Sequence, residues 1–173
     1  VIEGNGIRVR IHPQTGGMLS LRRSGERGNR LSQALAIRST LPPPPAGAAW
    51  EDPLERARYT TMVADAIERR GERAIESRGR LVRDRRAVAT FVQRLELDPR
   101  LPLVRIAITL DGVRRDDGPR LESYACCRYA WNENDDVDVR RSQGTQSVIT
   151  ERTLVAAPHY LEITEATAPT GSG

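Results

Sequence analysis

The chain has no lysine. All 27 of its basic residues are arginines, set against 23 acidic residues for a net charge of +4. Arginine without lysine can mark a nucleic-acid surface, or the codon usage of a GC-rich genome, which the abundance of Ala, Gly and Pro also fits. The arginines do not gather into a stripe. They alternate with carboxylates in runs such as EDPLERAR and VRRDDGPR, so no nucleic-acid partner is expected. Aromatic residues are only 4% of the chain, which leaves few large anchors for a core. No apolar run approaches the length that spans a bilayer, and no basic segment followed by an apolar one opens the chain. No membrane partner is expected, and the composition suggests a soluble bacterial protein. The first residue is Val rather than Met, and the last residues are ATAPTGSG. From these ends we expect an excised or processed fragment with a linker-like tail over residues 165–173.

Cysteine and histidine are equally sparse. The two cysteines, Cys126 and Cys127, are adjacent, whereas a disulfide framework needs several spaced ones. On a strand, neighbours point to opposite faces, so these two cannot serve one metal, and a vicinal disulfide would strain the backbone. The two histidines, His12 and His159, stand at opposite ends of the chain and do not by themselves make the convergent ligand set that zinc requires. No metal site is expected. A nucleophile elbow of the form Gly-x-Ser-x-Gly is missing, and GERGNR lacks the Gly-Lys-Ser/Thr of a phosphate cradle. Glycosidases use paired carboxylates, and Glu122, Glu133, Asp135, Asp136 and Asp138 cluster near one turn. Acidic residues at a turn are ordinarily solvated, and they read that way here. No catalytic residue is assigned.

What the chain does have is two-residue alternation, the period of half-buried strands. Ile7, Val9 and Ile11 share one face, and Arg8, Arg10 and His12 the other. PQTGG at residues 13–17 has the composition of a turn, and Met18 to Arg23 returns as the second arm. Leu31, Gln33, Leu35 and Ile37 line one side of the next strand. LPPPPAGAAWEDP, residues 41–53, cannot join a sheet ladder because proline has no N–H, and it reads as an inserted loop. The β-branched residues of YTTMVADAIERR favour a strand over a helix. Ala74–Arg83 and Ala87–Asp98 read as paired strands, the second with Ala89, Phe91, Leu95 and Leu97 on one face. Leu103–Leu110 places Val104, Ile106, Ile108 and Leu110 together. Short strands follow near Val137–Arg141, Ser147–Val155 and Tyr160–Thr164. The expected class is all-β, an antiparallel sandwich, with residues 1–164 forming one domain.

SYACCRYAW, residues 123–131, concentrates half of the tyrosines, one of the two tryptophans and both cysteines. As a strand it puts Tyr124, Cys126, Arg128 and Ala130 on one face and Ala125, Cys127, Tyr129 and Trp131 on the other. Aromatic faces stack on the C–H surfaces of sugars, and arginine bonds their hydroxyls. The same residues also make ordinary core with a polar handle at its edge, and Tyr129 and Trp131 are expected there.

Three stretches taken in order are similar to a known family. PQTGG with Leu19–Leu21 and the step Gly28–Leu31 resembles the P-x-T-G, L/I-x-S-L and G-N-R-L opening of the C-terminal β-domain of glycoside hydrolase family 38 α-mannosidases. SYACCRYAW resembles that family's Y-x-A-C-R-F-A-W strand through Tyr124, Arg128, Tyr129, Ala130 and Trp131. APHYLEI resembles its S/A-P-x-Y/F-x-E-I strand through Pro158, Tyr160, Glu162 and Ile163. The resemblance implies a supersandwich similar to the galactose mutarotase-like fold, cut short after the last of these strands. It implies a non-catalytic portion of an α-mannosidase that buttresses a catalytic barrel, and that barrel would hold the zinc and the catalytic residues. No cofactor is expected in this chain. Its implied partners are the barrel and mannose-containing glycans, with Arg128, Tyr124, Tyr129 and Trp131 as the contact candidates. The alternative is a stand-alone carbohydrate-binding or interaction module. A mutarotase-like activity would need a His and acid pair, for which only His12 and His159 are available.

Overall fold

The computed structural model describes residues 1–25, 31–40, 57–113, 123–131, 137–143, 146–149 and 161–165. The inserted loop 41–53, residues 28–30 of the G-N-R-L step, His159, the stretch 157–160, the tail after residue 165 and most of the acidic cluster lie outside the described residues. Those described form thirteen β-strands and no helix, and no helix among them is long and apolar enough to cross a membrane. The chain divides into two compact units, Val1–Trp131 and Asn132–Gly173.

In the first unit, two antiparallel sheets face each other as a β-sandwich. One runs β1 (Ile2–Gly4), β2 (Ile7–Ile11), β3 (Met18–Arg23), β4 (Leu31–Thr40) and β10 (Tyr124–Trp131), with β5 (Ala57–Tyr59) pairing the end of β4. The other is the meander β6 (Thr61–Arg69), β7 (Ala74–Arg83), β8 (Arg86–Leu97) and β9 (Val104–Asp111). In the second unit, β11 (Val137–Gln143) lies between β12 (Gln146–Ile149) and β13 (Leu161–Glu165).

Local chemistry explains the tight connections. Asn5 and Gly6 both take positive φ (49° and 74°), as do Asp84 and Arg85 (48° and 64°). Two such residues in a row match the right-handed twist of a hairpin, and they join β1 to β2 and β7 to β8. YTTMVADAIERR is strand, as its β-branched residues predict, but it breaks at Thr60. The chain crosses there from one sheet to the other. Thr60 Oγ1 accepts the Ile37 N–H (2.8 Å) and Met62 Sδ accepts that of Leu35 (3.4 Å). These side chains satisfy β4 amides between the short stretches that β3 and β5 pair, where an orphaned buried donor would be costly.

The alternating apolar faces meet as two clusters. Ile2, Ile7, Val9 and Met18 pack on Ile75, Leu95 and Leu97. Leu35 and Ile37 pack on Met62, Leu81, Ala89 and Phe91. A polar contact also crosses between the sheets. Gln33, 3% exposed, and Gln93, fully buried, pair their side-chain amides in both directions, at 2.9 and 3.1 Å. Gln93 Nε2 also donates to Gly16 O (3.4 Å), Gln33 Nε2 to Cys127 Sγ (3.0 Å), and the Met18 N–H to Gln33 Oε1 (3.4 Å).

PQTGG does more than turn the chain. The Ala64 N–H donates to Gln14 O (2.8 Å) in the facing sheet, at the bulge between Ala64 and Ala66. Gly16 (φ +73°) lies so close to that sheet that an added Cβ would fall 2.7 Å from Ser77 Cβ. The turn thus pins one sheet to the other.

The outer face of the β6–β9 sheet explains the interleaved charges. Arg80 pairs with Asp65 (2.8 Å), Arg78 and Arg70 with Glu76 (2.6 and 3.0 Å), and Arg94 with Glu96 (3.0 Å). Pairs this exposed add little to stability; they balance charge on a solvated surface. Asp98 differs, being buried. Its carboxylate accepts the Arg100 and Leu101 N–H groups (2.9 and 3.0 Å) and meets Arg105 (2.7 Å). These bonds, the Arg100 amide first, hold its pKa below the ordinary aspartate value. The stabilisation is therefore fully present above about pH 4 and is lost as pH falls through the depressed pKa. Asp98→Asn should lower the urea midpoint at neutral pH, and the gap to wild type should close in acid. A gap independent of pH would contradict this role.

Candidate functional site

SYACCRYAW forms β10, and Tyr124 to Trp131 pair with β4 without a break, from Tyr124 opposite Arg38 to Trp131 opposite Leu31. This register separates the two cysteines, as strand geometry requires. Cys127 lies opposite Leu35 and packs at the edge of the second core cluster. Cys126 lies opposite Ala36 on the other face. Both thiols are free, and burial pushes that of Cys126 above its ordinary pKa, against a smaller opposing effect of Arg128. That is the condition of an unreactive thiol. Among the described residues, no group of three or more His, Cys, Asp or Glu side chains is placed to hold a metal ion.

The outer face of β4, β5 and β10 carries the concentrated chemistry. The Arg128 guanidinium lies over the Tyr59 ring, 4.0 Å from its centroid, and that of Arg38 lies 5.6 Å from the centroid of Tyr124. Tyr59 on β5 and Tyr124 on β10 stand opposite Arg38 from either side of β4. Both rings remain open to solvent, 37% and 41% exposed, whereas Arg38 is 7% exposed. An arginine over a tyrosine face gains roughly 0.5–1 kcal/mol at an exposed site. Among the described residues, the Arg128 guanidinium has no ion pair besides this contact with Tyr59.

Of the four expected contact residues, the structure places Arg128 and Tyr124 on this face together. Tyr129 belongs to the opposite face, but its assignment to the core is corrected: it is 54% exposed. It stands opposite Gln33, whose side chain turns inward to meet Gln93. Desolvation, with the Cys127 thiol beside it, pushes the Tyr129 phenol above the ordinary tyrosine range. Trp131 has its backbone at the end of β10, and its side chain lies outside the described residues. Tyr59 and Arg38 were not among the expected residues. Alternation along β5 could not reveal Tyr59, because β5 is three residues long and its pairing with β4, which sets Tyr59 opposite Arg38, is not written in its own sequence.

Beside Arg128, an open depression of about 350 Å³ is lined by His12, Thr15, Ser32, Gln33, Arg128 and Tyr129 among others, and none of the described residues that line it is acidic. His12 is held there by its own turn. Its Nδ1 accepts the Gln14 and Thr15 N–H groups (3.2 and 3.3 Å), so the neutral ring carries its proton on Nε2. Thr15 Oγ1 accepts the Gly17 N–H (3.2 Å), which leaves its own proton free to donate. The chain has no significant match among protein-family models, curated proteins or solved structures.

Proposed function

We propose that the chain is a non-catalytic β-sandwich portion of an α-mannosidase-type glycoside hydrolase, which contacts carbohydrate through the outer face of β4, β5 and β10. A catalytic barrel elsewhere in the parent polypeptide would carry the hydrolysis and its zinc. The observation that supports this most is the Arg128–Tyr59 stack beside the exposed ring of Tyr124. It occurs on the strand whose sequence resembles the family's Y-x-A-C-R-F-A-W. A pyranose offers a C–H face and a rim of hydroxyls; two open tyrosine rings and a guanidinium complement both.

Titration with a mannose trisaccharide should shift the NMR signals of Tyr59, Tyr124 and Arg128. Arg128→Ala should weaken binding about tenfold, which equals about 1.4 kcal/mol. An unchanged spectrum at millimolar trisaccharide would sink the carbohydrate reading.

A further inference from the structure

The depression beside Arg128 is chemically one-sided. Its polar lining residues include Arg128, His12, Thr15 and Ser32, all of which can donate hydrogen bonds. Among the described residues, no carboxylate lines it. A neutral sugar donates as many hydrogen bonds as it accepts, and sites for neutral sugars need acceptors to receive them. Here the acceptors among the described side chains are neutral, and Arg128 brings a positive charge. Among the described residues, Arg128 forms no ion pair, in contrast to the matched arginines on the β6–β9 sheet. Its guanidinium carbon lies over the Tyr59 ring, and a contact of that kind does not use up the N–H donors as an ion pair would. Such a fork suits carboxylate or phosphate oxygens.

We propose that this depression binds a sugar-sized anion, a carboxylate or phosphate ester of a hydroxylated ring, in preference to a neutral glycan. The ligand's charge meets Arg128, and its acceptor oxygens meet His12, Thr15 and Ser32. The inference rests on the carbohydrate reading above for the size and hydroxyl chemistry of the ligand, and on the composition of the wall for its charge.

The test is a parallel NMR titration of the whole chain with methyl α-mannoside, methyl glucuronide and mannose 6-phosphate. At least one anion should shift His12, Thr15 and Arg128 and bind about tenfold more tightly than the neutral sugar. Binding should weaken with added salt and fall to the neutral level in Arg128→Gln. The two anionic arms tell a carboxylate ligand from a phosphate ester. If that variant loses its fold, the salt dependence and shift map of the wild type still decide the matter. If the neutral sugar shifts Tyr59 and Tyr124 and the anions bind no better, the inference fails and the carbohydrate reading stands. Anion binding without any neutral binding supports the inference and counts against a mannoside ligand. Shifts confined to other surfaces, or no binding of any of the three, overturn it.

Discussion

Gly79→Ala is expected to destabilise the protein by about 3 kcal/mol or more, a loss at the upper end of overpacking effects. Gly79 sits at the centre of β7, where β6 bulges toward it. A Cβ there would fall 2.0 Å from Val63 O, 2.8 Å from Ala64 Cα and 2.9 Å from Phe91 Cε1. Two of those atoms are backbone, so no rotamer change relieves the clash. Either β6 must leave β7 or Phe91 must leave the core, and the Gln14 contact with Ala64 goes with β6. Gly71→Ala is the control. Gly71 also bears a costly conformation (φ +81°), but nothing lies within 4 Å of its added Cβ, so its loss should stay near the 1–2 kcal/mol of a left-handed residue. Urea denaturation of both variants makes the comparison. Equal losses would contradict the steric account.

The buried glutamines give the second large effect. In Gln93→Leu, both hydrogen bonds between the Gln33 and Gln93 amides disappear, and so does the one to Gly16 O. Gly16 O loses its partner, while Gln33 keeps only the weaker contacts to the Met18 N–H and Cys127 Sγ; an unsatisfied buried polar group costs about 1–3 kcal/mol, so a loss in that range is expected. Adding Gln33→Leu removes the stranded amide and replaces it with apolar volume. The double variant should therefore lose clearly less than the sum of the singles. Additive losses would mean that the two amides do not act as a pair. The same contact reaches the candidate site: Gln33 donates to Cys127, tying β10 to β4 from beneath, while Arg128 and Tyr124 occupy the upper face.

These two residues also show how far the sequence could be read. Ala89, Phe91, Leu95 and Leu97 define a buried face with a gap at Gln93. Leu31, Leu35 and Ile37 define another, interrupted at Gln33. Alternation locates both faces and both interruptions, and the structure shows that each interruption satisfies the other. Period alone does not say that two polar residues sixty positions apart meet. The hairpins follow local rules, and the Asn5–Gly6 dipeptide marks the β1–β2 turn, which alternation does not.

Tyr129 and Tyr59 lay beyond such reasoning for different reasons. Tyr129 has the parity of a core residue, yet a sheet covers its inner face only where the facing sheet reaches. Tyr59 ends a three-residue strand with no alternation to read, and its importance comes from Arg128, which reaches it from the other side of β4. Arg128 was legible as the outward arginine of an aromatic strand. Its stacking partner was not, because that depends on which strands flank β4.

The most direct test of the account is the location of the sugar-induced shifts on the wild-type chain. Mannose trisaccharide or an anionic sugar should perturb Arg128 together with Tyr59 and Tyr124, or with His12 and Thr15, and leave the charged outer face of the β6–β9 sheet unchanged. Perturbation of that charged face with Arg128 silent, or a spectrum unaltered by every sugar, would contradict it.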